Sequence, residues 1–349
     1  MRSKILHALI VLLLGGTLGF GFGFGFASPV EVRAQSLVGL FELEGGARPA
    51  GMGGAFVGLA ADESALYYNP AGLAFLRELY ISGLYQNRFV RADYGRVTLA
   101  VPNVGVQFLV LGVGGLVRRD ELGVPSETFN YTQMGALLGG GLSLDALGIG
   151  MPLAVGAQMK FYRVSTLAPG SGMAFSLTPS VLWVRDRLEL GGLPVRSLRV
   201  GAIAPNLLSL GITYGSGHRE SWGPGFRLGG ALLLGGGLAF AADLDARGAF
   251  HLGGEWTLGG FDLEGLEPAE LSLRLGLSNA GSAITPSIGF GIRFGDFRLD
   301  YAFTMHPDLV GAHRISFVAI FGPPNPLLCA LRPSACPPDD PLPLPASVR

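Results

Sequence analysis

From Leu79 to Phe321 the chain repeats one pattern, in which apolar and polar side chains alternate over about ten residues before a turn intervenes. Successive side chains on a β-strand point to opposite faces, so a period of two writes a ribbon with one apolar and one polar side. Leu271, Leu273, Leu275 and Leu277 share one face, and Ser272, Arg274, Gly276 and Ser278 share the other. Phe297, Leu299, Tyr301 and Phe303 alternate in the same way with Arg298 and Asp300, as do Phe250, Leu252, Trp256 and Leu258 with His251, Glu255 and Thr257. Val97, Leu99 and Val101 oppose Arg96 and Thr98, while Leu238, Phe240 and Leu244 oppose Asp243. An α-helix would scatter these charges around its circumference, so the 3.6 period fails.

Ten alternating residues is also the length of a tilted strand that crosses a hydrocarbon layer. Fourteen such segments are expected, at 79–88, 92–101, 104–117, 129–144, 150–165, 173–185, 197–207, 226–234, 237–245, 249–258, 271–279, 284–294, 297–306 and 312–321. An even number closes an antiparallel barrel with both chain ends on one side, and closure leaves no unpaired backbone edge in lipid. Composition points the same way. The 349 residues are 49% hydrophobic and 15% charged, with mean hydropathy +0.43, against about 25% charged in soluble domains. A net charge of -1 without clustered Lys and Arg argues against nucleic acid. The fold class is therefore an all-β membrane protein, a 14-stranded antiparallel transmembrane β-barrel. The strongest case for a membrane helix, the uncharged run from Val97 to Val117, contains Pro102-Asn103 and Gly105, Gly112, Gly114 and Gly115, and reads better as two strands about a turn.

Ahead of the strands, 1–27 has the order of a signal peptide, Arg2 and Lys4 before an apolar run, with cleavage after Ala27 or Ala34 and an uncleaved anchor as the alternative. In the following segment Gly45, Gly46, Gly51, Gly53 and Gly54 are expected to break helix and strand alike, making an irregular fold. Asp62 is then placed to cap a short helix through Tyr67, and Asn69-Pro70 to end it. A compact, punctuated segment ahead of a long run of strands is how a plug before a barrel is written, which sets 35–78 as plug and 79–322 as barrel. Beyond it, 323–349 is a Pro-rich tail, expected in the periplasm, either a solvated end or a partner-binding arm. Its Cys329 and Cys336 are candidates for a local disulfide in an exported protein.

The stretch GARPAGMGGAFVGLAADESALYYNPAGLA closely resembles the N-terminal signature of PorV/PorQ-type outer-membrane proteins, which are similar to FadL-like channels for hydrophobic compounds. HLGGEW, LRLGLSN and GFGIRFGDFRLDYAF extend the resemblance, which covers about residues 40 to 322. It implies a 14-stranded barrel with an N-terminal plug, in the bacterial cell outer membrane and among its lipids. The implied plug and gate residues are Arg48, Gly51, Gly53, Gly54, Asp62, Asn69, Pro70, Ala71 and Gly72. The activity it implies is uptake of a hydrophobic or amphipathic solute such as a fatty acid or aromatic compound, with Tyr67, Tyr68 and Leu73 against its tail. The alternative it carries is a PorV-like, non-pore component of a type IX-like protein secretion or surface-assembly system, with secretion-system subunits as partners.

No catalytic, cofactor or metal constellation stands out. His251 and Glu255 share the inner face, where acid–base work is possible, but a polar pair filling a lumen is the commoner arrangement. His218 with Glu220, and His306 with His313, lack metal-ligand spacing. The lumen-facing set is Arg96, Arg227, His251, Glu255, Arg274, Arg293, Arg298, Asp300 and Arg314. Charges in a barrel interior must be paired or wetted. They are expected to bind plug to wall through Asp62 and Glu63, or to receive a carboxylate-bearing solute.

Overall fold

The computed structural model describes residues 39–43, 45–88, 92–167, 170–190, 193–220, 222–261, 269–279, 283–305 and 311–322. The signal segment, the Pro-rich tail with Cys329 and Cys336, and His306 lie outside the described residues. The strands are β1 (Leu79–Arg88), β2 (Ala92–Val101), β3 (Val104–Arg119), β4 (Pro125–Ser143), β5 (Leu153–Ser165), β6 (Gly172–Leu190), β7 (Leu193–Ile203), β8 (Leu208–Tyr214), β9 (Arg219–Glu220), β10 (Arg227–Leu234), β11 (Leu238–Asp245), β12 (Phe250–Phe261), β13 (Ala269–Ser278), β14 (Thr285–Phe294), β15 (Phe297–Thr304) and β16 (Ala312–Phe321). From β1 to β7 and from β10 to β16 neighbours in sequence pair antiparallel, β7 pairs with β10, and β1 pairs with β16 to close the sheet. With β8 and β9 set aside, the wall has the fourteen strands expected from alternation. Among the described residues no helix is long and apolar enough to cross a membrane.

One face of this wall is apolar and exposed. Val97, Phe108, Val110, Phe240, Leu252, Trp256, Leu275, Ile288, Phe290, Ile315 and Phe317 all point outward. Such a continuous girdle is far larger than a water-soluble monomer tolerates, and lipid is the solvent that suits it. The inner face is lined by the alternate residues, and these are packed against the chain from 39 to 76.

Two sequence expectations need correction. The stretch 208–225, left between the expected strands 197–207 and 226–234, itself holds a strand, because β8 continues along the same edge of β6 that carries β7. Ile203 pairs with Ser180 and Leu208 with Leu177, and between them Asn206 takes φ 56. The break is therefore a bulge at Pro205-Asn206, after which β9 pairs with β8. Alternation in Leu208-Ser209-Leu210 was there to be read, but Pro205 and the polar residues from Gly215 onward disguised it. The glycine-rich segment also holds a helix, α1 (Ala47–Gly51), where Arg48, Pro49 and Ala50 form a single turn. Pro49 is tolerated because the first turn has no use for its missing N–H.

The expected short helix exists as α2 (Ala65–Tyr68), beginning two residues later than Asp62 would set it. Asp62 Oδ1 instead accepts from Ser64 N at 2.9 Å, making a turn ahead of the helix. Asn69, extended at φ -160, ends α2, and Pro70 opens a 3₁₀ turn running to Phe75.

Candidate functional site

The end of the barrel holding Leu79 and Phe321 is called the near end, and the opposite one the far end. Along β10 to β16 the inner face is charged. Arg48 of α1 donates to both carboxylate oxygens of Glu255, Nε to Oε2 at 2.8 Å and Nη2 to Oε1 at 2.6 Å, and its Nη1 reaches Asp62 at 2.6 Å. Arg274 Nε donates to Glu255 at 2.6 Å and its Nη1 to Asp300 at 2.8 Å. Arg298 completes the circuit, bonding Asp300 at 2.7 Å and Glu63 at 2.8 Å. Arg298 Nη2 also lies 3.9 Å from Asp62, which closes a ring of three guanidiniums and three carboxylates, with Glu63 attached through Arg298 as a fourth carboxylate, and fastens residues 48, 62 and 63 to three strands.

Strand register explains why these partners meet. Glu255 lies directly opposite Arg274 across β12 and β13. Asp300, however, is two strands from Arg274, with Gly289 and Gly291 of β14 facing inward between them. A Cβ at position 291 would overlap the Asp300 carboxylate and stand 2.8 Å from Arg274 Nη2. The glycines of GFGIRFG therefore open the space through which the pair joins.

Further bonds hold the same segment around its circumference. Asp243 Oδ2 accepts the amides of Phe56 and Val57 at 2.9 and 3.1 Å, and pairs with Arg227 at 2.8 Å. Arg227 also donates to Gly54 O. His251 Nδ1 donates to Gly53 O at 2.7 Å, which ties this imidazole ring to the interior segment. Ser287 bonds Gly53 N at 3.1 Å and Gly51 O at 3.3 Å, Ser316 takes Ala47 N at 2.8 Å, and Ser180 takes Ala71 N at 3.0 Å. Gly72 N bonds Asn69 O at 2.8 Å, within the turn that Pro70 opens. Arg293 donates to Gly295 O, and Arg314 to Gln86 and Thr304, so neither belongs to the ring.

Asn69 joins the interior segment to itself and to the wall. Its Nδ2 donates to Val57 O at 2.9 Å and Val181 O at 3.1 Å, while its Oδ1 accepts from Ala71 N at 3.2 Å. Replacing Asn69 with Ala removes all three bonds inside a fully buried site. The expected cost is about 2–4 kcal/mol, since each orphaned buried group costs roughly 1–3 kcal/mol. Urea unfolding in lipid vesicles checks this, and a loss below about 1 kcal/mol would mean that these carbonyls find other partners.

Along β1 to β8 the lumen is different. Toward the far end Leu84, Leu109, Leu111, Tyr162, Val164 and Ile212 face inward and are buried in one apolar cluster. Phe41 packs against Tyr162 at 6.1 Å and Trp222 at 5.7 Å between ring centroids. Tyr214 donates to Glu220 at 3.0 Å, and burial, with Glu220 beside it, pushes its phenol up to about 12. Tyr67 and Tyr68 are engaged within the segment, Tyr67 donating to Phe41 O and Tyr68 accepting from Gly45 N. On the outer face, a recess of about 520 Å³ is lined by Phe108, Met134, Phe161, Met173, Phe175 and Leu210 among others.

Sequence reasoning missed Lys160, which faces inward over the Phe41 ring at 5.6 Å, and Asn206, whose Oδ1 accepts from Ser176 at 2.9 Å. For Lys160 the signal was available in its alternation with Phe161. Among the described residues no group of three or more His, Cys, Asp or Glu could hold a metal ion.

No family model matches the chain, and no curated protein does. Among solved structures it is similar to the CymD monoaromatic hydrocarbon channel, with 11% identity and TM-score 0.51 over 80% of this chain and 98% of that one. The Ralstonia pickettii toluene transporter TbuX matches with 12% identity and TM-score 0.46, over 81% and 99% of the two chains. The TodX monoaromatic hydrocarbon channel, in a mutant form, matches with 12% identity and TM-score 0.42, over 80% and 98%. The likeness to CymD shows a shared β-barrel fold.

Proposed function

We propose that this chain is an outer-membrane channel that takes up hydrophobic solutes, with residues 39–76 as a plug that shifts to admit them. The observation that carries the reading is the apolar inner face of β1 to β8 at the far end. A lumen built for hydrophilic solutes is polar and water-filled, whereas Leu109, Leu111, Tyr162, Val164, Phe41 and Trp222 offer an aromatic or aliphatic solute a compatible surface. The plug is bound toward β10 to β16 by ion pairs, whereas toward β1 to β8 its described bonds to the wall are uncharged hydrogen bonds, at Gln133, Gln158, Ser180 and Val181, set among apolar contacts, so movement on that side breaks no described ion pair. The fold shared with a monoaromatic hydrocarbon channel supports an aromatic solute as the first to test. The narrower PorV/PorQ resemblance rests on sequence motifs alone, and the contacts of the described residues supply no reason to prefer a secretion partner.

Uptake of radiolabelled toluene, naphthalene and oleate, in bacteria lacking such a channel and supplied with this gene, tests the proposal. A severalfold faster initial uptake of at least one solute is expected. Equal uptake of all three with and without the gene would overturn it.

A further inference from the structure

The charged ring satisfies its own guanidiniums, but Arg96 on β2 stands outside it. Arg96 is 3% exposed, and its Nε and Nη1 have no hydrogen-bond partner among the described residues. Its cross-strand neighbours are Leu84 and Leu109, which supply no counter-charge. A buried guanidinium left unpaired is among the costliest features a fold can carry. The adjacent rung across β1, β2 and β3 is Ser82, Thr98 and Gln107. All three are buried, and Ser82 Oγ, Thr98 Oγ1 and both amide atoms of Gln107 also lack partners. From the plug side Ser64 Oγ is likewise buried and unmatched. Ser64 Oγ and Arg96 Nη2 approach the same point beside Gly46, each within 3.3 Å of where a Cβ there would stand.

We infer that this cluster at the junction of plug and wall is a binding site for a carboxylate, with Arg96 as its charge partner and Ser64, Thr98 and Gln107 as further hydrogen-bonding groups. Buried polar groups in folded proteins find partners, and one cation with several hydrogen-bonding groups around it suits an oxyanion. Water satisfies hydroxyls and amides but leaves the charge of Arg96 uncompensated. Glu63 makes no ion pair with Arg96 within 4.0 Å; its Oε1 takes Arg298, and its buried Oε2 has no hydrogen-bond partner among the described residues, so Arg96 has no contact counter-ion there. Apolar Leu84 and Leu109 flank the site. The inference rests on the channel reading in taking the carboxylate to be the head of an amphipathic solute, although a free small anion shares the chemistry.

The test uses the full chain in a neutral detergent, with thermal unfolding followed by circular dichroism while octanoate, acetate or octanol is added. Octanoate is expected to raise the midpoint, and octanol at the same concentration to leave it lower. In Arg96→Met the apparent affinity for octanoate should fall about 10- to 100-fold, the equivalent of one charge-assisted contact. That variant should be at least as stable as the parent without any anion, because it removes an unpaired buried charge. Arg96→Lys should keep part of the octanoate response. Acetate matching octanoate would assign the site to a free anion, and octanoate alone would assign it to a solute head. An undiminished octanoate response in Arg96→Met, or a large loss of its ligand-free stability, would overturn the inference and make Arg96 a water-linked structural partner of Glu63. Toluene uptake by the parent is read separately. Stabilisation without uptake counts against the channel alone, and uptake without stabilisation counts against the carboxylate site alone.

Discussion

Replacing Arg274 with leucine lowers stability against urea by about 3–5 kcal/mol, the range for removing one partner from a buried ion pair. Arg274 is 3% exposed and is the only link in the described ring between Glu255 and Asp300. Without it, two guanidiniums face four carboxylates in a space closed to bulk water, so the excess negative charge doubles from one to two. Arg48 and Arg298 each keep a carboxylate, which limits the damage to the lower part of the range if the segment relaxes. Adding Glu255→Gln to the leucine variant should recover part of the loss, because it removes one of the two excess negative charges while Arg48 keeps Asp62. Arg118 and Glu127 provide the contrast. They form an ion pair at 2.9 Å with side chains 61% and 49% exposed, and such a pair contributes about 0–1 kcal/mol. Urea titrations of the reconstituted variants, followed by tryptophan fluorescence, separate these cases. Strictly additive losses for Arg274→Leu and Glu255→Gln would mean that the ring does not act as a unit.

The ring also marks the boundary between what alternation reveals and what it leaves open. Period two places Glu255, Arg274, Arg298 and Asp300 on one face of their strands, because a side chain's direction depends only on its parity along the strand. Which guanidinium meets which carboxylate depends on register between strands and on Gly291 being small enough for Arg274 to reach past β14. Neither follows from one strand's pattern. The partners of Arg48 are less legible still, since Glu255 is 207 residues away and the path of the interior segment is irregular. α1 escaped notice because glycines surround it and propensity alone does not support a five-residue helix. Its stability comes from burial of Ala47, Pro49 and Ala50 against the wall. Arg96 has the opposite character. Its inward direction is plain from Val97 and Leu99, but its lack of a partner is a property of the assembled interior.

On the proposed plug role of residues 39–76, substituting valine for Gly276 should displace that segment and make the barrel conduct ions. Gly276 faces inward on β13, where the backbone of the segment passes directly over it. A Cβ at 276 would overlap Gly53 N and Met52 C, and these are backbone atoms that cannot rotate away as a side-chain tip does. The wall is held by continuous pairing of β12, β13 and β14 through Gly276. The segment crosses that point with Gly53 at φ 64, held nearby among the described residues by Ser287, His251 and, at Gly54 O, Arg227. The less costly adjustment is therefore to move the segment and keep the sheet, since breaking the ladder in lipid costs several kcal/mol per unpaired group. Moving Gly53 also pulls α1, and with it Arg48, away from Glu255. Planar-bilayer recordings should show a rise in conductance of about tenfold or more over the parent, since ions would enter a lumen whose low-dielectric block had been removed. Retained heat-dependent mobility on gels would show that the barrel itself still forms. Unchanged conductance in a correctly folded Gly276→Val protein would mean that the segment does not govern passage, and the plug reading would fall with it.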